Sequence, residues 1–123
     1  GSDGHQQARQ MGSALASHGI RTAMIYASRW CRCLDTGADL GVGPVNPVAI
    51  LDPLAKGGAE REQQSAALQG WVSELPLKLP TLVITHQINI TLLIEAFTSP
   101  GQLQVVERRP DGSLKPLGSI AIH

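Results

Sequence analysis

The sequence predicts an α/β fold with a mainly parallel β-sheet. Segments with apolar residues at helical spacing alternate with short apolar runs rich in β-branched residues, and turn residues separate one segment from the next. The predicted helices cover 3–18, 29–40, 59–75 and 88–97. The predicted strands cover 22–28 and 80–86, with two further strands around a turn after residue 102.

The first half of the chain contains a helix, a strand and a second helix. The first helix has one apolar stripe, formed by Ala8, Met11, Ala14 and Leu15. Gly19 follows it where a left-handed residue ends a helix. The run "TAMIYAS" predicts a buried strand, and Ser28 is a suitable N-cap for a second helix that ends near Leu40.

The second half begins with a loop over 43–58, in which "PVAIL" predicts a short strand. The next helix has apolar positions at Ala66, Ala67, Trp71 and Leu75. The strand "PTLVITH" is rich in β-branched residues, and we expect it to be buried on both faces, as we do for "MIYAS". The helix over 88–97 is unusually hydrophobic, which predicts a central position.

Composition limits the possible functions. A chain of 123 residues with 42% hydrophobic residues fits one domain over 1–123. The net charge is zero and no basic stripe occurs, so we expect no nucleic-acid partner. No apolar run reaches membrane-spanning length, so we expect no membrane partner. The start lacks the pattern of a signal peptide and an initiator methionine, which indicates a processed form or a fragment.

Cys31 and Cys33 lie two residues apart on a predicted helix. Their side chains point in different directions there, so we expect no disulfide between them. Two thiols alone do not complete a zinc site, and we predict no metal. Packed, reduced cysteines are the first interpretation; a metal site with a distant histidine and a bridge to a segment outside this chain remain alternatives.

Polar residues follow both predicted parallel strands. Arg32 lies one turn into the helix after "MIYAS", and His86 with Gln87 ends "LVIT" as a helix begins. Ligands of such sheets bind beyond the carboxyl ends of the strands, and a helix N-terminus favours anions. Arginine offers a fork of donors to phosphate. The pattern predicts a phosphate pocket, although each residue alone also fits a structural or solvated role.

Three stretches resemble the histidine phosphatase superfamily, the phosphoglycerate-mutase-like group. They are "GHQQARQMGSAL", "YASRWCRCLDTG" and "LVITHQINI". The second contains the residue that corresponds to the family's phosphate-binding arginine, Arg32, with Thr36 four residues on. The third contains the residue that corresponds to its second histidine, His86. The resemblance implies a three-layer α/β sandwich, and "WCRC" with "THQ" resembles a subgroup of small bacterial proteins that are often exported.

The resemblance implies a phosphatase that works through a phosphohistidine, without metal or organic cofactor. Arg32 and His86 would be catalytic, and Gln87 would join them in binding phosphate or a phosphorylated small molecule. The family's nucleophile is a histidine in an Arg-His-Gly motif at the end of the first strand. The printed sequence contains no such motif and begins after that strand. We therefore expect an incomplete domain, truncated at the N-terminus, which is inactive alone.

Two questions stay open at this stage. Members of the family that the chain resembles often use a carboxylate after the second helix as the general acid, and Asp52 and Glu60 are the candidates here. The alternative function is a non-catalytic module that binds an anion or a partner chain. In the family's fold the absent first strand is a central one, and its absence would leave backbone groups of the neighbouring strands unpaired. We consider three ways to fill this gap in the sheet: a separate segment, closure of the sheet, or a second copy of the chain. We expect a homo-oligomer.

Overall fold

A computed structural model describes residues 2–96 and 102–121, which divide into two compact units. The first unit contains residues 2–52 and 77–85, and the second contains the described residues of 53–76 and 86–121. The first unit consists of α1 (Ser2–Ser17), β1 (Met24–Ala27), α2 (Cys31–Leu40), β2 (Val45–Pro47), a 3₁₀ turn (Ala49–Leu51) and β3 (Thr81–Ile84).

The sheet of the first unit is parallel and has the strand order β2-β1-β3. β1 lies in the centre, with Ile25 paired to Val45 on one side and to Leu82 on the other. The side chains of Ile25 and Ala27 are fully buried and alternate with half-buried neighbours. The prediction of an α/β fold with a parallel sheet is confirmed.

β3 is an edge strand within the described part of the chain, because its ladder joins it to β1 alone. All four of its residues are half-buried. The expectation that this strand is buried on both faces is therefore wrong. The apolar composition of "TLVI" reflects β-propensity as well as burial, and these two causes give the same sequence pattern.

Two glycines allow the helices of the first unit to approach their neighbours closely. A Cβ atom at Gly12 of α1 would lie 2.2 Å from the carbonyl oxygen of Leu40 in α2. A Cβ atom at Gly37 of α2 would lie 2.8 Å from the Val45 side chain of β2. His5 of α1 also donates a hydrogen bond from Nδ1 to the carboxylate of Asp39 in α2. These contacts fix α1 on α2, and α2 on the sheet.

The second unit consists of two helices and a hairpin: α3 (Gly58–Ser73), α4 (Gln87–Ile94), β4 (Gln102–Arg108) and β5 (Leu114–Ala121). β4 and β5 are antiparallel, with a bulge at Val105/Val106, and the predicted turn closes them. In that turn, Asp111 accepts hydrogen bonds from the backbone N–H and the hydroxyl of Ser113, at 2.9 and 2.6 Å. α3 packs against α4, and α4 packs against β5.

Several element boundaries differ from the prediction. "PVAIL" forms a 3₁₀ turn over Ala49–Leu51, and the short strand precedes it at Val45–Pro47. In α3 the side chains of Ala66 and Ala67 are exposed, whereas Leu68 is buried. Gly19 has the predicted left-handed backbone, with φ at 85°. The helix of the first unit that was expected to begin after Ser28 begins at Cys31.

α4 is apolar but not fully buried. Ile88 is 37% exposed, while Asn89 and Ile94 are buried. The helix ends at Ile94, because Glu95 takes a left-handed backbone (φ 54°), and the predicted end at Phe97 lies outside the described residues. None of the helices in 2–96 and 102–121 combines the length and the apolar character that a membrane span requires.

The hairpin of the second unit caps α3 through Arg108. Its Nη1 donates to the carbonyl oxygens of Val72 (3.1 Å) and Leu75 (2.5 Å), at the helix end where carbonyls lack helical partners. We expect Arg108→Ala to lower the free energy of unfolding by about 1–2 kcal/mol in urea titrations. Arg109→Ala, at an exposed neighbouring position, is the control and should stay within about 0.5 kcal/mol of wild type. Equal effects of the two changes would contradict the capping role.

Candidate functional site

Ser28 fixes the carboxyl end of the central strand. Its side chain is fully buried, and its N–H donates to the carbonyl of Ile84 at the end of β3, at 2.9 Å. Its hydroxyl donates to Oδ1 of Asp52, at 3.1 Å. The prediction that Ser28 caps α2 is therefore wrong: Trp30 is the N-cap residue, and a partner 24 positions away takes the serine hydroxyl.

Asp52 also binds Arg29. Its Oδ1 accepts the backbone N–H of Arg29 at 2.9 Å, and its Oδ2 accepts Nε at 2.8 Å and Nη2 at 2.5 Å. Desolvation alone would raise the pKa of Asp52, but the hydrogen bonds from Arg29 and Ser28 outweigh it, so the pKa lies below its ordinary value. Asp52 is thus held as a carboxylate, which makes it a poor candidate for a general acid.

Arg32 is exposed in the first turn of α2. Its guanidinium carbon lies over the Trp30 ring, 5.3 Å from the ring centroid. Within the described residues the Arg32 side chain makes no hydrogen bond or salt bridge, and its carbonyl accepts the hydroxyl of Thr36 at 2.8 Å. The donors of its guanidinium are therefore available to a ligand, unlike those of Arg29.

The two cysteines are free, which confirms that they are not bonded to each other. Cys31 is exposed and Cys33 is buried. Burial raises the pKa of the Cys33 thiol, although a hydrogen bond with Ser28 and the charge of Arg32 act in the opposite direction. Cys33 is thus a packed thiol. Across 2–96 and 102–121, no group of three or more His, Cys, Asp or Glu residues could hold a metal ion.

His86 lies two residues after the end of β3 and is the N-cap residue of α4, so it immediately precedes a helix as predicted. It is 9% exposed, its backbone is extended, and its carbonyl accepts the N–H of Ile90 at 3.1 Å. The preceding hydroxyl, of Thr85, donates to the carbonyl of Leu51 at 2.6 Å and fixes the strand end. Gln87 is exposed as the first residue of the helix. Glu60, the other carboxylate considered for a general acid, is exposed in the first turn of α3.

The structure brings Ser28, Arg29 and Asp52 together at the sheet edge where β1 and β3 end. This cluster was not predicted from the sequence, because Arg29 and Asp52 lie 23 positions apart and neither belongs to a recognisable motif. Asn89 was not predicted either; it is fully buried in α4 and accepts the N–H of Leu54 at 3.1 Å. The available signal was an amide side chain inside the mainly apolar run "INITLLI".

The lowered pKa of Asp52 predicts a pH-dependent contribution to stability. The carboxylate form stabilises the native state above the ordinary aspartate pKa of about 3.9, and this stabilisation is lost as the pH falls through the lower native pKa. We expect Asp52→Asn to be less stable than wild type at pH 7, by the small margin typical of exposed ion pairs. Urea titrations at pH 7 and at about pH 3 should show this difference shrinking in acid.

The matched control is Asp35→Asn, at an exposed position of α2. Its stability should follow the wild type at both pH values. A deficit of Asp52→Asn that stays constant between the two pH values would contradict the assignment to the Asp52 charge.

Comparison with solved structures shows that a known protein has a similar fold. No protein-family model and no curated protein sequence matches the chain. A solved structure of the protein histidine phosphatase SixA complexed with tungstate matches it with a TM-score of 0.69 and 18% sequence identity. The match covers 98% of this chain and 82% of that chain. The predicted fold is confirmed: the chain shares the α/β fold of the SixA structure.

Proposed function

We propose that this chain is the phosphate-binding part of a histidine-phosphatase-like enzyme. The observation that carries the proposal is the different state of two arginines after β1. Arg29 is neutralised by Asp52, whereas Arg32, one turn further on, has no hydrogen-bond or ion-pair partner among the described residues. An uncommitted guanidinium beyond the carboxyl end of a parallel strand is well suited to bind a phosphoryl group.

His86 and α4 supply the second half of the proposed site. The first N–H groups of a helix lack internal partners, and the helix dipole is positive there. α4 begins immediately after His86, which follows the strand beside β1. In the proposal, Arg32, His86 and Gln87 bind one phosphoryl group. Tungstate, present in the SixA structure, is a tetrahedral oxyanion like phosphate, which supports this choice of ligand.

The proposed reaction has two steps. A histidine nitrogen attacks phosphorus, the ester oxygen leaves with its electron pair, and a phosphohistidine forms. Water then attacks phosphorus, which releases inorganic phosphate and restores the imidazole. Arg32, His86 and the N–H groups of α4 stabilise the negative charge on the phosphoryl oxygens. The reaction uses no metal or organic cofactor, and its nucleophile comes from an Arg-His-Gly segment that the printed sequence does not contain.

Oxyanion binding by the chain tests the proposal. We expect inorganic phosphate or tungstate to bind in calorimetric titrations, and Arg32→Ala to weaken the affinity by at least about tenfold, because a charge-assisted hydrogen-bond fork is lost. Arg29→Ala is the matched control: Arg29 lies just before α2, and its guanidinium already has a partner, so the affinity should change little.

Two outcomes would contradict the proposal. Equal losses of oxyanion affinity in Arg29→Ala and Arg32→Ala would indicate a general effect of positive charge instead of a specific binding site. Hydrolysis of an aryl phosphate by this chain, abolished by His86→Ala, would place the nucleophile within the printed sequence. We expect no turnover above background. Joining the native upstream sequence to the chain should produce turnover if that sequence contains the Arg-His-Gly strand.

The second candidate function is a non-catalytic module that binds an anion and associates with itself. The observation that favours it is the edge of β3, which has no strand partner within the described residues although every residue of β3 is half-buried. The carbonyls of Pro80 and Ile84 face β1, so the N–H and C=O of Thr81 and Val83 point to the other edge. A second copy could pair there.

Sedimentation at micromolar concentration tests self-association. We expect wild type to sediment as a dimer or larger oligomer, and Thr81→Pro to shift it toward the monomer, because proline removes an edge N–H at a position that strands tolerate. Thr81→Ala is the control, since it loses the same hydroxyl bond to Leu79 but keeps the N–H. A wild-type monomer that is well folded by circular dichroism would rule the assembly out.

A further inference from the structure

Trp30 occupies a position that local helix chemistry does not favour. It is the N-cap residue of α2, and no side-chain hydrogen bond caps the helix. Ser, Thr, Asp and Asn are preferred there, because their oxygens accept the first free N–H groups of the helix. Trp30 is also 49% exposed, in a chain that has only two tryptophans. Neither capping nor burial accounts for this residue.

The Trp30 ring contacts the side chain of Arg32. The guanidinium carbon lies over the indole face at 5.3 Å from its centroid, within the range of a cation–π interaction. A cation on a ring face uses none of its N–H groups in conventional hydrogen bonds. The ring can therefore hold the guanidinium while all five donors remain available. A carboxylate, such as the one that binds Arg29, would occupy them.

The backbone of Trp30 is held in place. Its N–H donates to the hydroxyl of the buried Ser28 at 3.3 Å, and its carbonyl accepts the N–H groups of Cys33 and Leu34 at 3.0 and 3.1 Å. The ring is thus attached to a segment that is anchored at both the strand end and the first turn of α2. A ring carried by this fixed backbone, in contact with the guanidinium, reduces the number of rotamers open to the long arginine side chain before a ligand arrives.

We propose that Trp30 is a positioning residue, whose indole face holds the Arg32 guanidinium with its donors open to a phosphoryl group. This inference rests on the proposed function, because it assigns Arg32 to phosphate. It adds a residue that acts through Arg32. The role requires an aromatic ring at position 30 and excludes a capping side chain there, which explains why a locally unfavourable residue occupies the N-cap.

The test compares Trp30→Ser, Trp30→Phe and Trp30→Leu in calorimetric titrations with tungstate. Trp30→Ser and Trp30→Leu should weaken binding by about two- to fivefold, the range expected for an exposed cation–π contact. Trp30→Phe keeps a ring and should recover most of the affinity. Trp30→Ser also supplies a good N-cap, so its midpoint of urea unfolding should equal or exceed that of wild type. A loss of affinity without a loss of stability separates positioning from a structural role.

A double-mutant cycle with Arg32→Ala completes the test. In the Arg32→Ala background, Trp30→Leu should cause no further loss of affinity, because the group that the ring holds is gone. If Trp30→Leu and Trp30→Ser bind tungstate as wild type does while Arg32→Ala does not, the positioning role is wrong and the proposed function stands. If Arg32→Ala binds as wild type does, the proposed function fails, and this inference fails with it.

Tryptophan emission gives a second readout that is independent of the affinities. In a Trp71→Phe background, Trp30 is the only tryptophan. Tungstate should change the emission of Trp30, because the ligand binds the guanidinium that covers the indole ring. The change should disappear when Arg32→Ala is added. Emission that changes equally with and without Arg32 would overturn the positioning role.

Discussion

The carboxylate of Asp52 fixes the point where the central strand leaves the sheet. It accepts the hydroxyl of the buried Ser28, the backbone N–H of Arg29 and the Arg29 guanidinium. These bonds supply hydrogen-bond partners to polar groups at the end of β1, including the buried hydroxyl of Ser28. The direction in which the chain enters α2, and hence the place of Trp30 and Arg32, depends on this one anion.

The same anion separates the roles of two arginines three residues apart. Asp52 balances the charge of Arg29 and accepts hydrogen bonds from its Nε and Nη2, so Arg29 is a structural residue. Arg32 lies beyond the reach of that pairing and rests on an aromatic face, which offers attraction without hydrogen-bond acceptors. A site that binds a dianion needs such a cation, because an arginine already paired with a carboxylate offers little net charge.

The sequence contained enough information for the fold but not for the details of the strand ends. Alternating helical patterns and β-branched runs predicted the parallel sheet, and the motifs around Arg32 and His86 predicted the phosphatase fold. The prediction that Ser28 is the N-cap of α2 was wrong, because its hydroxyl binds Asp52, a residue distant in sequence, instead of the helix N-terminus. The burial of β3 was also wrong, since burial depends on neighbours that a strand's own residues do not specify. The joint binding of one anion by Arg32 and His86 stays a prediction.

The close approach of α1 to α2 has a consequence for how sequences with this fold can diverge. With no room for a Cβ atom at Gly12, any other residue there must move the backbone of Leu40, at the far end of the helix that begins with Cys31. Gly37 places the same helix directly against β2. A larger residue at position 12 can therefore be accommodated only if α2 shifts, whereas one at position 37 requires either a shift of α2 or a smaller side chain at position 45. Sequences that take the first route also change the angle at which Arg32 is presented.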